Sequence, residues 1–263
     1  MKCPRCLAIL LPVGLIAYAV FLIAYLPAAA VWSVASDAVP ARLYGVEGSI
    51  WSGRAATAMV AGARFDAVHW ELAPPALLSR TVAFRVRANL AHGALDTRVG
   101  FALGRGLVAE AVKAGTTVDT LFEWTRFPEL AILADGRVEV RLRHLRMNGA
   151  HLASAQGRII WRKATLNLGG GIPLGDVVAR LRPADGAGTR ITLSNDGGLL
   201  RLAGDGKLTL EGRYHLTLRL QARDPDDPAS QRAARALGLP DPTGTVVEVS
   251  GVVGGPLPAV AVR

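Results

Sequence analysis

Beyond its first forty residues the chain is dominated by a period of two. Arg137-Val-Glu-Val-Arg-Leu-Arg143 alternates charged and apolar residues without a slip, and Arg190–Ser194, Lys207–Glu211 and His215–Gln221 repeat the pattern. Successive side chains of a strand face opposite sides, so each stretch presents one oily and one wet face. Asn195-Asp196-Gly197-Gly198 and Gly204-Asp205-Gly206 are residue types that tolerate positive φ in tight hairpins. Together these signals predict an antiparallel meander of three or four strands over 190–221. Further strands are expected at 43–50, 56–60, 65–72, 81–90, 95–102, 157–168, 175–182 and 245–253. Asp135-Gly136 opens the strand that begins at 137. Val138, Val140 and Leu142 point one way, whereas Leu145 and Met147 resume out of step, which predicts a β-bulge near Arg143-His144.

Helical signals are few. Asp227-Pro228, then ASQRAARAL, then Gly238 supplies a cap, a proline in the first turn and a glycine stop. A second short helix is expected within 107–124, and a single turn at 74–79. The fold class that follows is mainly β: one long, curved antiparallel sheet, open or half-barrel, with one or two short helices.

The first thirty residues have a different character. Residues 7–26, LAILLPVGLIAYAVFLIAYL, carry no charge. At about 1.5 Å per residue they reach roughly 30 Å, the depth of a hydrocarbon core. Lys2 and Arg5 precede the run, so the positive-inside rule keeps the N-terminus cytoplasmic and sends the remainder outward. Tyr25 and Trp32 fall near the far interface. Ala28-Ala29-Ala30 is similar to a signal-peptidase site, but the apolar run is longer than the usual signal core. The expected organisation is a cytoplasmic tail (1–6), a transmembrane helix (7–26), a connector (27–41) and a periplasmic β domain (42–263). The expected location is the inner membrane, single-pass. Cys3 and Cys6 form a CxxC pair with no second pair to complete a zinc site.

Charge and composition add little chemistry. The net charge is +9, from 30 basic and 21 acidic residues, and only four of the basic residues are lysine. Arg137, Arg141, Arg143 and Arg146 make one basic strand. In the expected compartment its partner is not nucleic acid; anionic lipid or an acidic protein fits, beside the plain reading of a solvated face. The five histidines, at 69, 92, 144, 151 and 215, lack metal-ligand spacing. No nucleophile elbow or Walker loop occurs, and Asp224, Asp226 and Asp227 read as a helix-capping turn. Neither an enzyme nor a cofactor is expected.

The stretch GVEGSIWSGRA (45–55) sets one tryptophan among glycines. Gly48 and Gly53 suit a strand that bends or is closely approached, with Trp51 lying over Gly48 or against the next strand. This motif, Phe65-Asp-Ala-Val-His-Trp70-Glu-Leu-Ala-Pro74, Gly157-Arg-Ile-Ile-Trp161-Arg-Lys-Ala164, and the closing Leu237-Gly-Leu-Pro-Asp-Pro-Thr-Gly244 follow one another in order. That order resembles the type II secretion system protein N family, from about residue 7 to residue 254. The resemblance implies an accessory inner-membrane component of the machine that exports folded proteins from the periplasm, without enzymatic activity or cofactor. Its implied partners are other secretion subunits of the inner-membrane platform. Gly45, Gly48, Trp51, Ser52, Gly53, Trp70, Trp161 and Gly244 are then marks of the family with structural roles. The alternative is a lipid-binding or lipid-transfer protein similar to the AsmA-like family, which also has one N-terminal membrane segment and a long sheet with an apolar face.

Overall fold

The computed structural model describes residues 4–36, 41–60, 62–73, 81–102, 106–123, 133–148, 151–167, 170–184, 188–239, 244–252 and 259–262. Two helices come first, α1 (Pro4–Ala24) and α2 (Ala28–Ala35). The strands that follow are β1 (Ala41–Gly48), β2 (Ser52–Val60), β3 (Ala63–Leu72), β4 (Thr81–Leu90), β5 (Gly93–Ala102) and β6 (Gly106–Thr117). After α3 (Val118–Glu123) come the long pair β7 (Ala134–Asn148) and β8 (His151–Asn167), then β9 (Gly171–Pro183), β10 (Thr189–Asp196), β11 (Leu200–Leu208) and β12 (Arg213–Ala222). Helix α4 (Pro228–Ala236) precedes β13 (Thr245–Val252) and β14 (Ala259–Val262). All fourteen strands form one open sheet in strict chain order, each antiparallel to its neighbour.

The alternation read from the sequence is what makes this sheet. Along β11, every second residue from Arg201 to Lys207 is exposed and the residues between them are covered. Much of the covered face is alanine: Ala55, Ala58 and Ala88 lie beneath Leu43, Val46, Phe65, Trp70 and Val86. Small side chains let larger neighbours on adjacent strands close over them, so a sheet without a second sheet layer still buries apolar area. Toward the C-terminus α4 supplies the cover. Its Ala233 and Ala234 pack with Leu200, Ile172, Leu174 and Val177. Asp227 caps this helix, accepting from the amides of Ala229 (3.1 Å) and Ser230 (2.9 Å). Those amide bonds, with the Ser230 hydroxyl, hold the Asp227 carboxyl below the usual carboxylate range.

Bulges bend the strands. The expected one is present, with a register shift between Leu142 and His144. Others fall on β3, β6 and β8, where Ala67, Ala111 and Lys163 adopt positive φ. Such insertions increase local twist and re-aim side chains.

Several expectations are corrected. The short helix expected within 107–124 is present as α3 (Val118–Glu123), but the residues before it, Gly106–Thr117, form a strand that was not expected from the sequence. Alanine, glutamate and lysine favour a helix there, but β5 and β7 on both sides take up the backbone groups, and that pairing overrides local propensity. Gly204-Asp205-Gly206 is not a turn: β11 runs through it, and Leu218 and Leu216 of β12 lie against the bare backbone of Gly204 and Gly206. The reversal comes later, where the amide of Thr209 donates to Arg213. The 190–221 meander therefore has three strands. The strand expected at 157–168 is the second half of one that begins at His151, and the strand expected at 43–50 ends at Gly48. Part of the expected connector is helix α2. The turn expected at 74–79 lies outside the described residues. Side chains of α1 are described from Val13 onward except at Ile16, and among the described residues no helix is long and apolar enough to cross a membrane.

Candidate functional site

The reversal between β1 and β2 joins the N-terminal helices to the sheet. Gly48 ends β1 with φ +87°, a conformation that costs other residues about 1–2 kcal/mol. Ser49, Ile50 and Trp51 form the loop, and Ser52 opens β2. The loop is closed by the Ser49 amide donating to the Ser52 carbonyl at 2.9 Å. The Ser49 hydroxyl accepts from the amides of Ser52 (3.1 Å) and Trp51 (3.3 Å). The next strands brace it. The Leu72 amide donates to the Trp51 carbonyl at 2.6 Å, and the Trp70 indole donates to the Ser49 carbonyl at 3.2 Å.

From this braced loop the Trp51 side chain reaches backwards along the chain. Its indole N–H donates to the carbonyl of Ile23, in the last turn of α1, at 2.7 Å. The Ile50 amide donates to the Leu26 carbonyl at 3.1 Å, and Pro27 bridges to Ser49. The last carbonyls of a helix have no i+4 partner; that of Ile23 takes a long bond from the Leu26 amide at 3.4 Å and the indole N–H of Trp51, while the loop amide of Ile50 meets Leu26 just past the helix end. Trp51 therefore does not lie over Gly48, as its spacing suggested. The backbone of Ser52 and Gly53 is what lies closest to Gly48, and the tryptophan clasps α1 instead.

Gly53 answers to a different tryptophan. It pairs directly with Trp70 across β2 and β3, and the Trp70 ring occupies the place of the missing side chain. The device recurs on β8. The Trp161 indole donates to the Asp135 carbonyl at 2.9 Å, and a Cβ on Gly136 would lie 2.6 Å from its Nε1. Trp161 also touches both the α4 cluster and the cluster beside α3. Gly45 has φ +63° and faces Ala56, whereas Gly244 stands before β13 with open space around it. Of the eight motif residues, five meet at one corner: Gly48, Trp51, Ser52, Gly53 and Trp70. Gly45, Trp161 and Gly244 lie elsewhere.

Sequence reasoning missed Asn195. Its amide nitrogen donates to the carbonyls of Leu174 (2.7 Å) and Leu200 (2.8 Å), while its oxygen accepts from the Leu202 amide (2.8 Å). It read only as a turn former. Also missed was the network on β8 and β9 in which Asp176 accepts from Arg162 at 2.6 Å and from the Lys163 amide at 2.9 Å. The Lys163 amide, then Arg162, hold the Asp176 carboxyl below the usual range, and Asp176 in turn raises Arg162. Among the described residues no three His, Cys, Asp or Glu side chains converge as a metal site would need.

This arrangement holds the end of α1 to the first hairpin of the sheet. A family model for protein N of the type II secretion system matches residues 40–247, most of the chain and every strand from β1 to β12. The chain belongs to the type II secretion system protein N family. The family's matched region contains the braced corner and both tryptophan–glycine contacts. No curated protein and no solved structure matches the chain. Membership makes it a component of type II secretion, and its work is protein transport.

Trp51→Phe tests the clasp. The ring remains while the donor is lost, and one hydrogen bond contributes about 0.5–1.5 kcal/mol. Amide exchange at Ile50 is expected to quicken about two- to tenfold, with β8–β12 unchanged, because local opening follows local bonding.

Proposed function

We propose that the chain is an accessory inner-membrane component of the type II secretion system, anchored by α1 and acting through protein–protein contacts on the periplasmic side. The observation that carries this reading is the corner itself: a family motif, GSIWSG, clasps the end of an apolar helix. Four consecutive residues of that helix, Val20, Phe21, Leu22 and Ile23, are each about half exposed or more. Consecutive residues point around the whole circumference, so the helix is apolar on every side, which suits a lipid surround better than water. Lys2 and Arg5, ahead of the apolar run, favour a cytoplasmic N-terminus, and the sheet then stands in the periplasm. Clasping the helix end to the first hairpin fixes where the sheet stands relative to the bilayer. A freely jointed tether would leave it free to wander.

Photo-crosslinking from side chains on β1 and β2 in intact membranes tests the proposal. Recovery of inner-membrane secretion subunits is expected. Recovery of phospholipid without any of those subunits would favour the lipid-transfer alternative and count against it.

A further inference from the structure

The outer face of the sheet carries a feature that secretion-family membership does not explain. Lys113 on β6 is the direct partner of Arg141 on β7, Arg141 of Arg158 on β8, and Arg158 of Arg180 on β9. Four cations thus stand side by side across four adjacent strands, all exposed. At a strand spacing of about 4.8 Å the row is about 14 Å long. It lies along a cleft of about 770 Å³ whose lining adds Arg98, Arg143 and Arg182, and only one acid, Glu110. The cleft sits at the bulges: Ala111 has φ +51°, β7 slips between Leu142 and His144, and a Cβ on Gly157 would lie 2.7 Å from Leu142 Cα.

Like charges directly opposite one another on a sheet are destabilising. Arg141 is offset by Glu139 at 3.1 Å. Among the described residues, Lys113, Arg158 and Arg180 form no ion pair, and Arg180 reaches only the Ser194 hydroxyl, at 3.5 Å. The same lateral row turns acidic or neutral at its ends, with Asp96 beside Lys113, and Thr192 then Asp205 beyond Arg180. Along the row itself the four cations stand between Asp96 and Thr192, while in the next row Arg182 of the lining continues into Arg190 and Lys207.

We propose that this slot docks an extended acidic segment of a partner polypeptide. Carboxylates at i, i+2 and i+4 of an extended chain span about 14 Å on one side, which is the length of the row. Guanidinium groups take carboxylates through paired hydrogen bonds. The row is recessed, whereas a bilayer offers a flat plane of phosphates. It also begins five strands from β1, about 24 Å along the sheet from the corner that holds α1, and a charged surface is screened within about 8 Å at physiological ionic strength. The proposal stands apart from the secretion role: it concerns what the slot binds, whichever machine the chain serves.

The test uses the full chain in neutral detergent micelles and a fluorescent peptide of alternating Glu and Ser, read by anisotropy. The double variant Arg158→Gln/Arg180→Gln is compared with Arg201→Gln/Arg219→Gln, which removes equal charge from exposed positions on β11 and β12. The slot variant is expected to bind about tenfold more weakly or worse, and the control within about twofold of the unaltered chain, because charge pairs at a docking site govern affinity locally. The thermal midpoint of the slot variant is expected to hold or rise, since repulsion is relieved. Equal losses in the two variants would reduce the effect to net charge and overturn the proposal. So would unchanged binding by the slot variant. Row-dependent binding of phosphatidylglycerol vesicles or of single-stranded DNA, with no binding of the peptide, would overturn it in favour of those ligands.

Discussion

Gly53→Ala is expected to destabilise the chain by at least the about 1–3 kcal/mol typical of overpacking, a large share of the about 5–15 kcal/mol that holds a domain together. The added Cβ would stand 2.6 Å from the Glu47 carbonyl oxygen and 2.8 Å from Trp70 Cε2. Neither yields easily. Glu47 is backbone, held in register against Arg54, and Trp70 is pinned by its bond to Ser49. Urea unfolding of the single and double variants checks the cause. Trp70→Ala alone loses packing and a hydrogen bond, yet in the Gly53→Ala background it also removes half of the clash. The double variant should therefore be more stable than the sum of the single losses requires, by about 1 kcal/mol or more. Strict additivity would mean that the ring over the glycine is not the constraint.

Leu200→Ala is expected to cost about 2–5 kcal/mol, the range for a buried leucine whose surroundings cannot collapse into the gap. Leu200 is 0% exposed, at the centre of the cluster that joins β8, β9 and β11 to α4. Its loss should also speed amide exchange through α4, because Ala233 and Ala234 reach the sheet through that cluster. Leu210 is the control. It lies in the turn between β11 and β12 and is 38% exposed, so its truncation should stay within about 0.5 kcal/mol. Chemical denaturation of both variants decides the matter, and equal effects would contradict the packing described.

The sheet was largely legible because alternation is a local property. Strands such as Arg190–Ser194 and His215–Gln221 announce their two faces without reference to any neighbour. What failed was whatever depended on neighbours. Strand β6 (Gly106–Thr117) was not foreseen, because its pairing with β5 and β7 on either side is what makes it a strand. Gly204 and Gly206 look like a turn until Leu216 and Leu218 are seen to need the space. The functional corner was half legible. Glycines around Trp51 announced a close approach, but the partner of its indole lies 28 residues earlier, at the end of a helix, and no local spacing encodes that. Trp70 was visible as a motif residue, and its role over Gly53 depended on cross-strand register. The basic slot is the extreme case. Each of its strands shows a lysine or arginine on its wet face, as most wet faces do, and only the register sets four of them side by side.

The central claim is that this chain is a working part of type II secretion. It is tested most directly by deleting its gene and measuring how a type II substrate divides between periplasm and medium, with and without the chain resupplied. The account predicts that the substrate is stranded in the periplasm and that the intact chain restores its release. Undiminished release by the deletion strain would contradict it.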